Sequence, residues 1–373
     1  MQWNQCLDTF QFLCNTESEP QVVSKRIILS DYAKLFDPLG LLGPVIVVAK
    51  LILQDLWQLS IQWDESVPPD IRTRWVAFKA QLGALNHLKI PRCIKPDAHQ
   101  FVQMHGFCDA SERAFGACIY IRTQFGCNEY HSELLCSKSR VAPLKAVSLP
   151  RLELSAALLL ARLIAKVRGS LDISKCQTYL WSDSTIALNW ITSFSRRWSV
   201  FVANRVGEIQ RLTDIKHWHH VASPDNPADM LSRGLNPHDL IDTKTWWNGP
   251  AFLKWDEERW PSSSFAHLEN DLPEQKRVLV AASISNPHPC VVSILLNKYS
   301  SLNKICRIIA YCLRLSKAHR ANAVSNSVSS AEMSTALNCI CRTVRRQAFH
   351  SEYQALSKGN AINTSSATLS PFF

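Results

Sequence analysis

Between residues 100 and 248, the order of hydrophobic patterns leaves few folds open. Three consecutive strand-like runs, FVQMHGFC, AFGACIYIR and EYHSELLCSK, precede a long apolar helix from Pro150 to Val167. Next come a short strand (QTYLW), a helix from Ser184 to Ile191 and a helix from Arg197 to Leu212, and then a strand (IKHWHHV) and a short helix beginning near Asn226. Strands joined by tight turns pair antiparallel, whereas strands separated by helices pair in parallel. This order therefore predicts a small α/β domain, a mixed sheet with an antiparallel hairpin edge and helical crossovers.

The flanks read differently. Residues 1–99 open with a strand-like run from Thr9 to Leu13 and continue as helices: ILSDYAKLF, PVIVVAKLILQDLWQLSIQW with Pro44 at a helix start, and PDIRTRWVAFKAQLGAL. Trp57, Trp63 and Trp75 are the expected packing anchors of this segment. Residues 249–289 read as an irregular linker rich in Trp, Pro and Ser. Ser293 to His319 and Ser330 to Phe349 read as helices of a basic segment spanning 290–373, and NAINTSSATLSPFF is expected to be loose. The net charge of +10 is uneven: residues 290–373 carry 10 basic and 2 acidic groups, while residues 1–99 carry 10 of each. An excess of base permits a nucleic-acid partner without requiring one.

Composition excludes several classes. With 46% hydrophobic and 19% charged residues in 373, the chain is globular rather than broadly disordered. The longest apolar stretch, Leu39 to Leu53, is interrupted by Gly43, Pro44 and Lys50 and falls short of the roughly 20 residues a membrane span needs, so no span is expected. MQWNQCLDTF does not read as a signal peptide. Thirteen scattered cysteines without CxxC pairs suit a reducing compartment better than a disulfide framework.

Four carboxylates in the α/β segment stand out: Asp109 in GFCDAS, Glu153 in LPRLEL, Asp183 in WSDST and Asp229 in DNPADMLSRG. On a helical wheel Glu153 falls in the apolar stripe with Ala157, Leu160 and Ile164, away from the solvent side marked by Ser155, Arg162 and Lys166. A carboxylate there is costly unless a cation or hydrogen-bond donors compensate it. Each acid also has a plain structural alternative. Glu153 can be a first-turn acid favoured by the helix dipole, Asp183 an N-cap, and Asp109 a hairpin turn residue. Asp229 can belong to a capping box with Asn226 as N-cap and Pro227 as the first helical residue. Those alternatives do not account for all four acids meeting at one edge of the sheet. Such a cluster repels itself unless cations fill it, and an all-oxygen set suits Mg²⁺ or Mn²⁺.

GFCDAS, LPRLEL, WSDST and HVASPDNPADMLSRG, with acids 44, 30 and 46 residues apart, resemble the ribonuclease H domain of BEL/Pao-type LTR retrotransposon polyproteins. ILSDYAKLFDPLGLLGPVIVVAKLILQDLW resembles the segment after the reverse-transcriptase palm, and MQWNQCLDTF the palm's final strand. NKYSSLNKICRIIAYCLRL and QAFHSEYQAL resemble the stretch before the integrase zinc-binding module. The resemblance divides the chain into a thumb- or connection-like segment (1–99), the ribonuclease H-like domain (100–248), a linker (249–289) and the basic helical segment (290–373).

For the fold, the resemblance implies a ribonuclease H-like α/β class: a five-stranded mixed sheet with helices on both faces, flanked by α-helical segments. For function, it implies an endonuclease whose two Mg²⁺ (or Mn²⁺) ions hydrolyse the RNA strand of RNA/DNA hybrids. Asp109 would bridge both metals, Glu153 and Asp183 would hold one, and Asp229 the other. Ser111, Ser184 and Asn226 would contact substrate near the site. The implied partners are the hybrid and a reverse-transcriptase polymerase chain or domain, with no membrane, in cytoplasm or nucleus.

Two departures accompany the resemblance. The loop SPDNPA before Asp229 lacks the mobile histidine of many ribonucleases H, while His217, His219 and His220 lie in or beside the preceding strand and read as surface or structural residues. The family region has also been called a Pao retrotransposon peptidase. Here there is neither the Asp-Thr/Ser-Gly triplet of an aspartic protease nor a polymerase's paired aspartates. The competing expectation is a catalytically inactive or domesticated fragment that only binds nucleic acid.

Overall fold

The computed structural model describes residues 1–14, 22–94, 102–125, 129–171, 176–261, 272–276, 290–315, 327–350 and 352. They form two compact units, Met1–Arg277 and Val278–Phe373.

The first unit begins with a small antiparallel sheet of β1 (Gln2–Asn4), β2 (Thr9–Gln11) and β3 (Ile90–Pro91). Among the described residues, three α-helices lie between β2 and β3. The first is α1 (Lys25–Lys34), capped by the Ser24 hydroxyl. In α2 (Gly43–Gln58) Pro44 occupies the first turn, where its missing N–H costs nothing. The third is α3 (Pro69–Gln81). Ahead of α2, the Asp37 carboxylate accepts the N–H groups of Leu41 (2.9 Å) and Leu42 (2.7 Å) and fixes the DPLGLLG turn.

Only one of the three expected tryptophan anchors is a core residue. Trp75 is buried, but Trp57 and Trp63 are 51% and 44% exposed. They meet edge to face at 5.5 Å, with Lys25 Nζ 4.8 Å from the Trp57 ring. The buried stripe of α2 runs through Val45, Ala49, Ile52 and Leu56. One residue further turns the helix by about 100°, which carries Trp57 off that stripe.

The main sheet comprises β4 (Val102–Ala110), β5 (Ala114–Phe125), β6 (Glu129–Val141), β7 (Gln177–Ser182) and β8 (Trp218–His220), in the order β6-β5-β4-β7-β8. The β4–β5 and β5–β6 pairs are antiparallel, whereas β4–β7 and β7–β8 are parallel. The expected mixed sheet is thus present with its hairpin edge. The crossover helix α4 (Leu149–Ser170) packs on β4 and β5, and α5 (Thr185–Thr192) and α6 (Val200–Leu212) complete that layer. Met104 and Cys108 of β4 join the α4 core, and Phe107 between them faces the opposite way, as strand alternation requires.

The opposite face is covered by α2, α7 (Asp229–Arg233), α8 (Pro237–Asp242), α9 (Lys244–Asn248) and the segment 249–260. That last segment, expected to start a linker, instead buries Phe252 and Leu253 in the core. It also satisfies the fully buried Arg122 guanidinium through the carbonyls of Leu253 (2.7 Å) and Trp255 (2.6 Å). At the β6 edge, Ser137 N–H donates to the Leu39 carbonyl (2.9 Å) and Lys50 Nζ to the Ser139 carbonyl (3.0 Å). Gln54 Nε2 donates to the Ala142 carbonyl (2.6 Å).

The second unit contains α10 (Val291–Lys298), α11 (Leu302–Arg314) and α12 (Ser330–Ala348), packed around Val292, Ile305, Ile309, Ala336 and Ile340. The helix expected from Ser293 to His319 is therefore interrupted at Tyr299. Its last residues, and the tail NAINTSSATLSPFF, lie outside the described residues. Among the described residues no helix is long and apolar enough to cross a membrane, and every cysteine is free of disulfides.

Candidate active site

Strand register brings the first two acids together. Cys108 of β4 pairs with Ser182 of the parallel β7, so Asp109 and Asp183 leave the same end of adjacent strands. Glu153 comes from the opening turns of α4 and meets Ser184 at the start of α5. Asp229 is the first residue of α7, which packs on β4 and β5.

Close approach fixes the position of α7. A Cβ on Gly116, the β5 partner of Asp109, would stand 2.4 Å from Leu231 Cβ. On the far side, Leu235 N–H donates to the Pro44 carbonyl of α2 (3.1 Å), and a Cβ on Gly234 would meet Val48 Cγ2 at 2.6 Å. Gly234 also has φ of +87°, a conformation open to glycine at little cost. Overpacking of this kind costs ~1–3 kcal/mol. Gly116→Ala is accordingly expected to fold with a lowered melting temperature. An unchanged melting temperature would refute this placement.

Each of the four carboxylates has its own donor. The Ser232 hydroxyl donates to Asp109 Oδ2 and Ser184 Oγ donates to Glu153 Oε2 (2.5 Å). Ser223 Oγ donates to Asp183 Oδ2 (2.7 Å), and Arg233 Nε pairs with Asp229 Oδ1 (2.5 Å). Burial, and then the nearby charges of Asp183 and Asp229, push the Asp109 carboxyl up to about 7. Glu153 is raised as well, by burial first and then by Asp183. The four acids therefore share one electrostatic neighbourhood.

Their chemistry fits a hard divalent cation, since the donors are all oxygen. As the side chains stand, no three His, Cys, Asp or Glu among the described residues are close enough to hold one ion. The carboxylates are turned toward the hydroxyls and the guanidinium that hold them.

The three residues expected to contact substrate all make internal bonds. Ser111 Oγ donates to the Ser232 carbonyl (2.7 Å) and ties the β4–β5 turn to α7. Ser184, 6% exposed, is the N-cap of α5, a role considered for Asp183 in the sequence, and accepts from Ala187 N–H (3.1 Å). Asn226, 3% exposed, donates to the Cys108 carbonyl (3.1 Å) and accepts from Ala228 N–H (3.2 Å). It closes a turn one step ahead of α7 rather than capping the helix.

Ser232, Arg233 and Ser223 were not singled out in the sequence, although all three lie in or beside HVASPDNPADMLSRG. Their i+3 and i+4 spacing from Asp229 was the available signal for Ser232 and Arg233. His219 packs against Tyr179 and Trp181, and burial lowers its pKa. His217 is lowered by burial and by Arg168.

Sheet order, crossover helix and flanking helices together define a ribonuclease H-like α/β fold. Residues 24–184 match the family model described as the Pao retrotransposon-like RNaseH-like domain, so this stretch carries the retrotransposon resemblance read in the sequence. The match takes in α1–α3 together with Asp109, Glu153 and Asp183, and ends before Asp229.

Similar solved structures include RNase H1 from the halophilic archaeon Halobacterium salinarum NRC-1. It is 14% identical, with a TM-score of 0.24, over 38% of this chain and 97% of that one. The N-terminal RNase H domain of a Mycobacterium tuberculosis protein, as a fusion with maltose-binding protein, is 13% identical with a TM-score of 0.25, over 38% and 94%. The foamy viral protease-reverse transcriptase in complex with double-stranded DNA is 13% identical with a TM-score of 0.19, over 58% and 42%. No curated protein sequence matches the chain.

Proposed function

We propose that the first unit is a metal-dependent endonuclease that hydrolyses the RNA strand of RNA/DNA hybrids, as part of a Pao-type retrotransposon polyprotein. The observation that carries the reading is the delivery of four acids to one sheet edge, with Asp109 and Asp183 at the ends of adjacent parallel strands. Asp109, Glu153, Asp183 and Asp229 would supply the oxygen ligands for two Mg²⁺ or Mn²⁺ ions, once each carboxylate exchanges its present donor for a cation. Bound there, the ions would stabilise the entering and leaving oxygens of the displaced phosphodiester.

The chain's own residues keep the acids in register. Before a metal arrives, Ser232 and Ser184 hold Asp109 and Glu153, Ser111 and Asn226 fasten the turn and loop beside them, and Arg233 balances Asp229. A polymerase domain or chain is the proposed source of hybrid, in cytoplasmic particles or the nucleus.

The test is cleavage of an end-labelled RNA/DNA hybrid by the purified full chain in Mg²⁺ or Mn²⁺. Asp183→Asn and Glu153→Gln are each expected to lower the rate by at least about 100-fold, the range seen when one group stabilising transition-state charge is removed. A folded chain that leaves the hybrid whole in both metals and shows no Mg²⁺ binding by calorimetry would leave only a binding module.

A further inference from the structure

The second unit separates its charges. Arg314 at the end of α11 forms a bidentate pair with Glu332 at the start of α12 (2.7 and 2.8 Å), and Glu332 also closes the α12 capping box with Ser329. The two helices are therefore antiparallel, joined at that end. Two further observations agree with this register: Cys306 lies beside Cys341, whose thiol adds to the effect of burial in raising it, and Gln347 near the end of α12 donates to Ser293 of α10 (2.8 Å).

The beginning of α11 thus lies beside the end of α12, and the exposed Lys298, Lys304, Arg307, Arg342, Arg345 and Arg346 are carried by the segments that meet there. The Tyr299 ring sits among them, 4.4 Å from Lys304 Nζ and 5.7 Å from Lys298 Nζ. Among the described residues of this unit the acids are Glu332, engaged at the opposite end, and Glu352, which follows α12 at the basic end.

Helix stability accounts for part of this pattern only. Arg345 and Arg346 in the last turn of α12 complement the helix dipole, as basic residues commonly do. Lys304, in the first turn of α11, opposes the dipole of its own helix. A polyanion laid across this end would relieve that cost.

We propose that the basic end of the α10–α12 unit is a second nucleic-acid surface, which grips the phosphate backbone without reading sequence. Six cations on the segments that meet at one end of a three-helix unit, with an aromatic ring among them, match a phosphate track. Phosphate contacts of this kind supply affinity and register but no sequence information. The surface acts in binding alone, so it stands or falls independently of the carboxylate chemistry in the first unit.

The experiment measures binding of the full chain to a labelled RNA/DNA hybrid and to a DNA duplex, in EDTA, as a function of salt. A K304Q/R342Q/R345Q variant is expected to bind both duplexes at least about tenfold more weakly at 50 mM salt. Its plot of log affinity against log salt should be shallower by about 3, close to one unit for each phosphate contact removed. A K304R/R342K/R345K variant keeps the charge and is expected to bind like the parent, which separates lost charge from lost fold. Unchanged affinity and slope in the neutralised variant would overturn the proposal. So would a loss confined to anionic phospholipid vesicles, which would assign the surface to a membrane.

Discussion

Asp109→Asn is expected to melt higher than the parent protein at pH 8 in EDTA, while cutting no hybrid when metal is restored. The native Asp109 carboxyl titrates at about 7, raised chiefly by burial. In the unfolded chain it ionises near the ordinary aspartate value of ~3.9. Between those two values the folded state holds a proton that the unfolded state has lost, so stability falls as pH rises through this window. Above pH 7 the cost is complete, and about three pH units correspond to at most about 4 kcal/mol.

An isosteric amide carries no charge and can still accept the Ser232 hydroxyl. The variant should therefore gain on the order of 5–10 °C at pH 8, using about 2–4 °C per kcal/mol for a unit of this size. At pH 4 the gap should close. Added Mg²⁺ is expected to raise the melting temperature of the parent and not of the variant. Thermal melts at pH 4 and pH 8, with EDTA and with Mg²⁺, decide the matter: a gap that does not change with pH would show that Asp109 is not held protonated.

A chain beginning at residue 100 is expected not to fold. Helix α2 buries Val45, Ile46, Val47, Leu51, Ile52 and Leu56 against β6, α7 and its neighbouring helices. At ~1.5–3 kcal/mol for each large apolar side chain, their burial contributes on the order of 9–18 kcal/mol, comparable to the whole stability of a domain. The truncated chain would also lose the Pro44 and Leu41 carbonyls that accept from Leu235 N–H and Trp246 Nε1. Circular dichroism of residues 100–277 should show no cooperative melt, where Met1–Arg277 is expected to show one. A sharp transition in the shorter piece would mean that the N-terminal helices are passengers.

The strands and the crossover helix were legible from their local patterns. An alternating run marked β4, strand-like runs marked β5 and β6, and the 3.6-residue stripe of α4 set Glu153 apart from Arg162 and Lys166. What the sequence did not disclose is which element covers which. The apolar face of α2 does not name β6 and α7 as its partners, and Phe252 and Leu253 sit among prolines and serines that read as a linker. Trp57 and Trp63 misled for a related reason. Size and hydrophobicity suggested anchors, but their angular position on and after α2 put them at the surface. Around the site, the acids were found by type and spacing, whereas Ser232, Ser223 and Arg233 depend on how α7 and its preceding loop meet β4 and β7.

The bonds from Leu39, Lys50 and Gln54 to the outer side of β6 bear on how the protein behaves in a crowd. An uncovered outermost strand presents a row of N–H and C=O groups that can recruit a strand from another molecule. Here the turn before α2, and α2 itself, occupy much of that row with a backbone carbonyl, an ammonium and an amide. The segment that seats the helix of Asp229 therefore also closes this side of the folded sheet to further growth.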